Sequence, residues 1–322
     1  MDWILKFLNR YRFYRSFIGW TTRIILPGFN GLPLYTVSVF FYNELKKEAL
    51  FTKASSLAFN FLLAIFPFII FLFTLIPLIP IPDFQARLFD LLQEVLPNHA
   101  FIAAKSTISD IMSERKLDLL SIGFISSMYF STNGIGTLMK AFNKSSLSPE
   151  TRPFFKQQWT AIWLTFTMVV LLILSVTSII TSEIMIGWLR REQIFAGGWV
   201  KFSLQSARWL IIAGLYLLAV SLLYYYGPSR HRVWKFFTPG SLFATFLAIV
   251  ASMLFTFFIS NFGTYNKIYG SIGALIIIML WLYFNAIILL LGFELNAAIE
   301  LSKRSIKVEP THNSFRETET PG

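Results

Sequence analysis

Cysteine is absent from the 322 residues, and histidine occurs only three times, at positions far apart in the chain. The lack of cysteine excludes disulfides, thiolate metal sites and cysteine nucleophiles. His99, His231 and His312 form no HExxH or HxH pattern, and the sequence contains no Walker A loop, GxGxxG or GxSxG motif. We therefore expect no metal, no cofactor and no enzymatic activity.

Charged residues are also scarce, at 14% of the chain against about 25% in an ordinary soluble domain. Hydrophobic residues make up 55%, and phenylalanine alone supplies 35 positions. Apolar runs recur from Ala54 to Ala298 without a stretch of mixed composition long enough to build a separate soluble core. The composition predicts an all-α polytopic membrane protein with a single membrane domain.

At about 20 apolar residues per span, the sequence predicts about six transmembrane helices. The predicted spans are about 54–79, 117–138, 159–182, 209–226, 240–261 and 272–293. The predicted domains are a cytoplasmic flank of amphipathic interfacial helices at 1–53, the membrane domain at 54–298 and a disordered cytoplasmic tail at 299–322. Within the membrane domain, residues 83–116 are predicted to form an external pair of amphipathic helices between the first two spans.

Two local patterns predict particular helices. Leu34, Val37, Phe41 and Leu45 share one helical face, opposite basic residues, as in a helix that lies on a membrane or docks on a partner. Thr238 before a proline predicts the N-terminal cap of the fifth span.

Loop charge predicts the orientation of the spans. Residues 1–53, 140–158, 227–237 and 297–322 together hold 19 of the 28 lysines and arginines, and the alternate loops hold nine. By the positive-inside rule both termini are cytoplasmic. The net charge of +11 then reflects basic residues near anionic lipid headgroups rather than a nucleic-acid surface.

One short basic loop of this cytoplasmic side stands out. Arg230, Arg232 and Lys235 lie together without an acidic residue. One interpretation is that this positive charge only sets the orientation of the spans in the membrane. The other is that these side chains contact lipid headgroups.

The second span is the least apolar of the six. Its small and polar residues recur at helical spacing on two adjacent faces, and those of interest are Ser126, Ser127, Ser131, Asn133, Gly134 and Thr137. One interpretation is close packing of helices through small residues. The other is a polar wall of a substrate path through the membrane.

Two further residues of the spans are candidates for a role. Pro67 lies inside the first span, where it predicts either a static kink or a hinge for alternating access. Glu294 lies near the end of the sixth span, where an ionised carboxylate needs the interface or a partner. We expect an ion pair with Lys53 or Lys140, or else proton or ion coupling.

Several motifs occur in a fixed order along the chain. They are AxxLAFxxLLAIFPFI at Ala54–Ile69, FSTNGIGTLMKAFN at Phe130–Asn143, PG at 239–240, YGSIG at 269–273 and GFELNA at 292–297. In this order and spacing, the sequence resembles the YihY/BrkB family of bacterial inner-membrane proteins over about residues 40–300. Asn60 stands where that family usually has an aromatic residue.

The resemblance implies a multi-pass protein of the bacterial cell inner membrane with cytoplasmic ends. Labels within the family range from transporter-like to ribonuclease, and the residues here give no support to the ribonuclease label. The leading hypothesis is a transporter-like protein for a small or amphipathic solute or a lipid. The alternative is a scaffold for envelope assembly, with envelope partners or further copies of itself. The expected partners are the lipid bilayer and its anionic headgroups, and no nucleic acid.

Overall fold

The computed structural model describes residues 19–29, 31–47, 50–75, 117–143, 150–191, 198–229, 237–260 and 271–314. Their helices are α1 (Leu34–Lys47), α2 (Leu50–Leu75), α3 (Leu117–Asn143), α4 (Phe154–Arg191), α5 (Gly198–Tyr226), α6 (Pro239–Ser260) and α7 (Ser271–Ser314). The predicted external helical pair at 83–116 lies outside the described residues, as do the first 18 residues and the basic loop with Arg230, Arg232 and Lys235.

Five helices of the described chain, α2 and α4 to α7, are long and apolar enough to cross a membrane. The second predicted span corresponds to α3, whose 27 residues are long enough but more polar. At about 1.5 Å per residue, α3 is about 40 Å long and exceeds the hydrocarbon thickness of about 30 Å. The protein is therefore a polytopic all-α membrane protein.

The six long helices form a closed ring. Each helix from α2 to α7 packs against the next one in the chain, and α7 packs against α2 to close the circle. The pair α2 and α3 has the most extensive contact, whereas α3 barely touches α7. Because neighbours in sequence are neighbours in space, the bundle is assembled from antiparallel helical hairpins.

Hydrogen bonds show which helix ends meet. Lys53 at the start of α2 donates from Nζ to the carbonyl of Ala141 at the end of α3, at 3.3 Å. Arg152, just before α4, donates to the carbonyl oxygens of Tyr226 and Gly227 at the end of α5. We call this end of the bundle the packed end. Because α2 leaves it, α3 reaches it and α4 leaves it again, α3 must run back through the bundle.

Buried residues concentrate toward the packed end. In α7, eleven of the residues between 286 and 302 are buried, whereas none of residues 202–219 in α5 or 249–259 in α6 is buried. A helix that packs tightly along one side buries about one residue in every three or four. The bundle is therefore held together mainly at one end.

The start of α6 follows the prediction from the sequence. Thr238 accepts at Oγ1 from the backbone N–H of Ser241, at 3.1 Å, and Ser241 accepts at Oγ from the N–H of Thr238, at 3.1 Å. This reciprocal pair satisfies two backbone donors that the first turn leaves free, and Pro239 has no N–H to satisfy. The predicted cap is confirmed.

The N-terminal helix α1 packs on protein. Val37 is buried in a small apolar cluster with Phe29, Leu32 and Ile299, so the apolar face of α1 lies against α7. Here α7 has already passed the predicted end of its span at 293 and continues to Ser314. The tail at 299–322 that the sequence predicts to be disordered is helical through 314, and Ile299 near its start is buried against α1.

Candidate functional site

The side of α3 that faces away from the apolar core carries an unusual set of residues. At 3.6 residues per turn they recur every three or four positions, and we call them the outer face of α3: Ile122, Ser126, Tyr129, Asn133, Gly136 and Lys140. Asn133 and Lys140 are exposed, and Tyr129 is 66% exposed. A helix side that met only lipid would be apolar, so this face requires an explanation.

Asn133 is paired with Asn60 of α2. Its Nδ2 donates to Oδ1 of Asn60 at 3.2 Å, and Asn60 in turn donates from Nδ2 to the carbonyl of Ser56 at 2.8 Å. The apolar span of α2 begins at Leu50, ten residues before Asn60. At about 1.5 Å per residue this is at most about 15 Å, and counted from the predicted span ends at 54 and 138 it is about 9 Å and about 8 Å, so the amide pair lies within the hydrocarbon, nearer the packed end than the midplane.

Two glycines of α3 have opposite surroundings. A Cβ on Gly134 would lie 3.0 Å from two ring carbons of Phe61, so this glycine lets α3 approach α2 closely. A Cβ on Gly136 would meet no atom of the described residues within 4 Å. Gly136 therefore leaves open space beside Asn133.

The structure separates the two faces that the sequence predicted for this span. Ser127 is buried and its hydroxyl donates to the carbonyl of Phe124 in its own helix, which fits the packing interpretation for the face that includes Gly134. Ser131 is half-buried beside it. Ser126 and Thr137 are half-buried on the other face, where the hydroxyl of Thr137 donates to the backbone carbonyl of Asn133 at 3.0 Å.

A second polar site lies at the packed end, where residues of the PG and GFELNA motifs meet. The backbone N–H of Gly240 donates to Oδ1 of Asn296 at 2.8 Å, and Nδ2 of Asn296 donates to Oγ1 of Thr238 at 2.8 Å. The Cα of Gly292 faces Gly240, and a Cβ on either glycine would collide with the backbone oxygen of the other. The PG and GFELNA motifs thus form one tight crossing of α6 and α7.

The end of α3 is held against this crossing by aromatic rings. Phe142 stacks on Phe293 with 4.2 Å between ring centroids, and Tyr224 packs edge-on against both rings. The hydroxyl of Tyr224 donates to the carbonyl of Leu289 at 2.7 Å. Three of the sequence motifs therefore build a single structural core.

An ion pair joins three helix ends beside this core. Arg152 donates from Nε to Oε1 of Glu150 at 3.0 Å and from Nη2 to Oε2 at 3.2 Å, while it also binds the carbonyls at the end of α5. Asn143 donates to the same carboxylate and accepts from the N–H of Ser229 at 2.8 Å. Burial opposes ionisation of Glu150, but the hydrogen bonds and charge of Arg152 prevail and lower its carboxyl pKa below 4.5.

The remaining candidates have less defined surroundings. Pro67 is half-buried inside α2, which continues to Leu75, and its role as a hinge stays a prediction. Glu294 is 2% exposed and lies inside the bundle rather than at an exposed interface. Lys140, one of its two predicted partners, is exposed, and the pairing of Glu294 stays a prediction.

Sequence reasoning missed three parts of these sites. Asn60 was noted as a departure from the family pattern, but not as the partner of Asn133. The Glu150–Arg152 pair gives no signal in the sequence, because two charges in a short loop are ordinary. Glu44 is 1% exposed in α1, and its position seven residues after Val37 could have placed it on the buried face.

These features define the class of the protein as a polytopic α-helical membrane protein with a ring of six long helices. Residues 41–316 match the family model of the virulence factor BrkB, and the chain belongs to that family. The resemblance that the motifs indicated is thereby confirmed.

Relatives from bacteria support the same assignment. The chain is 30% identical over 265 residues to a ribonuclease-like protein, YfkH, of Bacillus subtilis, covering 81% of this chain and 94% of that protein. It is 25% identical over 276 residues to a UPF0761 membrane protein of Alteromonas mediterranea, covering 84% and 89% of the two chains. No solved structure matches the chain.

Proposed function

We propose that this chain is a transporter-like protein of the bacterial inner membrane, which moves a small or amphipathic solute or a lipid along the outer face of α3. The observation that carries the proposal is the Asn60–Asn133 amide pair inside the predicted hydrocarbon region, with Asn133 exposed. A polar group in hydrocarbon without its hydrogen bonds costs several kcal/mol, so this face needs water, a ligand or protein beside it.

The outward surface of α6 gives a comparison for the outer face of α3. On α6 one exposed face is apolar, formed by Leu242, Phe246, Ile249, Met253 and Phe257, and beside it the exposed polar side chains of Ser252 and Thr256 are small hydroxyls, of which that of Thr256 donates to the carbonyl of Ser252 in its own helix. A cavity of about 300 Å³ between α6 and α7 is likewise lined by apolar side chains, including Phe255 and Phe284. It offers no group that could recognise a polar solute, so we assign the path to α3.

The proposed orientation places the packed end in the cytoplasm. That end joins the loops and flanks that hold 19 of the 28 basic residues, and such loops stay on the cytoplasmic side. The packed end would then close the bundle toward the cytoplasm, and the opposite, less tightly packed end of the bundle would face the periplasm. In this proposal the chain acts without catalysis, and the ribonuclease-like name of one relative is not extended to it.

Thiol labelling tests the proposal in a chain that has no cysteine of its own. Single cysteines at Ser126, Asn133 and Thr137 should react with a membrane-impermeant thiol reagent in native membranes. Cysteines at Met253 and Phe257, 68% and 70% exposed on α6, are the controls and should stay protected by lipid. Equal protection at all five positions would contradict a polar path and favour the scaffold hypothesis.

A further inference from the structure

The outer face of α3 points away from the bundle. Leu138, which is 1% exposed, marks the core side of the helix. Asn133 precedes it by five residues and Tyr129 by nine, so at about 100° per residue their side chains lie about 140° and about 180° around the helix. The polar groups are therefore directed toward the membrane surrounding the ring, not into its interior.

This direction restricts the substrate. A water-soluble solute is normally enclosed by protein, with polar groups turned inward around a midplane site. Here the polar groups form one wall, and the opposite side is bilayer. Only a molecule with an apolar part can keep that part in hydrocarbon while its polar part follows such a wall.

The polar groups suit the headgroup of a phospholipid. Among the described residues, the amide of Asn133 makes a single side-chain hydrogen bond, to Asn60, so its Oδ1 and second N–H are available. Lys140 is exposed and follows Asn133 by seven residues, two turns or about 10 Å nearer the packed end. A lysine ammonium there attracts a phosphate, and Gly136 leaves open space between the two side chains.

We propose that the outer face of α3, together with Asn60 of α2, is a groove for the headgroup of an anionic phospholipid whose acyl chains remain in the bilayer. The inference rests on the transporter-like role and specifies its substrate class. From Lys140 to Ser126 the groove extends over 14 residues, about 21 Å, and so covers most of the hydrocarbon thickness. The headgroup enters at Lys140 and exchanges hydrogen bonds with Asn133 about 10 Å further along the groove.

A second copy of the chain is a less suitable occupant of this face. In a two-fold contact the same patch meets itself, so the face would bring Lys140 of both copies into one interface. Like charges in such a contact repel, and the open space beside Gly136 would stay unfilled. The headgroup of an anionic lipid carries the opposite charge to Lys140. Because it is small and flexible, it can occupy the open space beside Gly136.

Lipid movement in reconstituted vesicles tests the proposal. The purified full chain is placed in vesicles with a trace of phosphatidylglycerol labelled at the headgroup with a fluorophore that dithionite bleaches from outside. Wild-type vesicles should bleach beyond the outer-leaflet fraction, at least tenfold faster than protein-free vesicles. The double variant Asn60→Leu/Asn133→Leu should fall to the protein-free rate, and Asn133→Gln should keep part of the activity.

Two controls separate binding chemistry from folding. Asn285→Leu removes another half-buried amide, which donates to the carbonyl of Trp281 in its own helix, and should leave the rate unchanged. Lys140→Gln should slow labelled phosphatidylglycerol several-fold more than labelled phosphatidylcholine. Thermal unfolding in detergent verifies that each variant is folded.

The outcomes distinguish this inference from the transporter-like role on which it rests. If the cysteines at Ser126 and Asn133 react with the aqueous thiol reagent but wild-type vesicles behave like empty ones, the path exists and the phospholipid proposal is wrong. If the cysteine at Asn133 is protected and instead forms a disulfide-linked dimer in native membranes, the face is an interface between copies. Wild-type rates in the double variant would also overturn the proposal.

Discussion

Gly134 and Gly136 lie two residues apart in α3 and have different surroundings. Gly134 lets the ring of Phe61 approach the helix backbone, whereas Gly136 borders open space. Gly134→Leu should therefore lower the thermal unfolding temperature, because overpacking at a tight helix contact costs about 1–3 kcal/mol. Gly136→Leu should leave stability unchanged or raise it by up to about 1 kcal/mol, since leucine favours helix over glycine.

Thermal unfolding of the two variants in detergent gives the comparison directly, and the wild-type chain is the reference. Gly136→Leu also serves the lipid proposal, because it fills the groove without breaking a packing contact. An equal loss of stability in both variants would mean that the outer face of α3 is covered by protein.

Glu150 should make the packed end sensitive to acid. Its carboxyl pKa is lowered below 4.5, so the ionised form stabilises the folded state above that pH, and this contribution is lost as the pH falls through the lowered pKa. The wild-type unfolding temperature should therefore drop as the buffer is changed from pH 6 to below pH 4.5. Glu150→Gln should be less stable at pH 6 and should lose less on acidification.

Arg152 provides the matched control for that experiment, because it binds the end of α5 as well as Glu150. Arg152→Gln should cost more stability at pH 6 than Glu150→Gln does, since it also leaves two backbone carbonyls without their donor. Identical acid sensitivity in wild type and Glu150→Gln would show that other carboxyl groups dominate.

At the scale of elements, the crossing of α6 and α7 brings two glycine backbones into direct contact. A Cβ on Gly292 would lie 2.6 Å from the carbonyl oxygen of Gly240 and 2.7 Å from Cβ of Ala244. The same Cβ would also collide with the hydroxyl of Tyr224 on α5, so Gly292→Ala should displace both neighbouring helices and cost about 1–3 kcal/mol. Gly214→Ala on α5 is the control, because a Cβ there meets no described atom within 4 Å and alanine favours the helix.

Expression level and thermal unfolding measure both glycine variants. If Gly292→Ala were as stable as Gly214→Ala, the crossing would adapt at little cost and would not position Asn296. The double variant Gly292→Ala/Asn296→Ala tests whether the two substitutions change the free energy of unfolding additively. A non-additive change would mean that the glycine contact and the hydrogen bonds of Asn296 to the start of α6 are coupled.

Apolar periodicity predicted the helices well, because each span satisfies its own backbone hydrogen bonds and the bilayer dictates its length. The polar second span was predicted from residues alone and corresponds to α3. The Thr238 cap was also predictable, since its residue types and spacing are local.

Contacts between distant parts of the chain could not be derived in this way. The pairing of Asn60 with Asn133 joins residues 73 positions apart, and that of Gly240 with Asn296 joins residues 56 positions apart. The packing of Ile299 in α7 against α1 also joins distant parts of the chain, which no local pattern contains. The direction of the outer face of α3 likewise required the core to be known.

For the whole molecule, the account predicts one orientation in the membrane. Reporter fusions at the N-terminus and after Ser314 should both be cytoplasmic, and a tag near Asn98 should be accessible from the periplasm. The physical reason is that 19 basic residues would otherwise have to be translocated, against nine in the predicted arrangement.

Protease treatment of spheroplasts checks the same prediction without a large reporter. Cleavage at a site introduced near Asn98, with both termini protected, agrees with it. Cleavage of the termini with Asn98 protected would invert the bundle and place the packed end in the periplasm.

The central claim is that the outer face of α3 has a polar environment when the protein is in a membrane. Electron paramagnetic resonance of single nitroxide labels in lipid nanodiscs measures this through collisions with a polar nickel chelate and with oxygen. Labels at Ser126, Asn133 and Gly136 should collide more with the chelate, whereas labels at Phe246, Met253 and Phe257 of α6 should collide more with oxygen. Oxygen-dominated collisions at Asn133, equal to those on α6, would contradict the account.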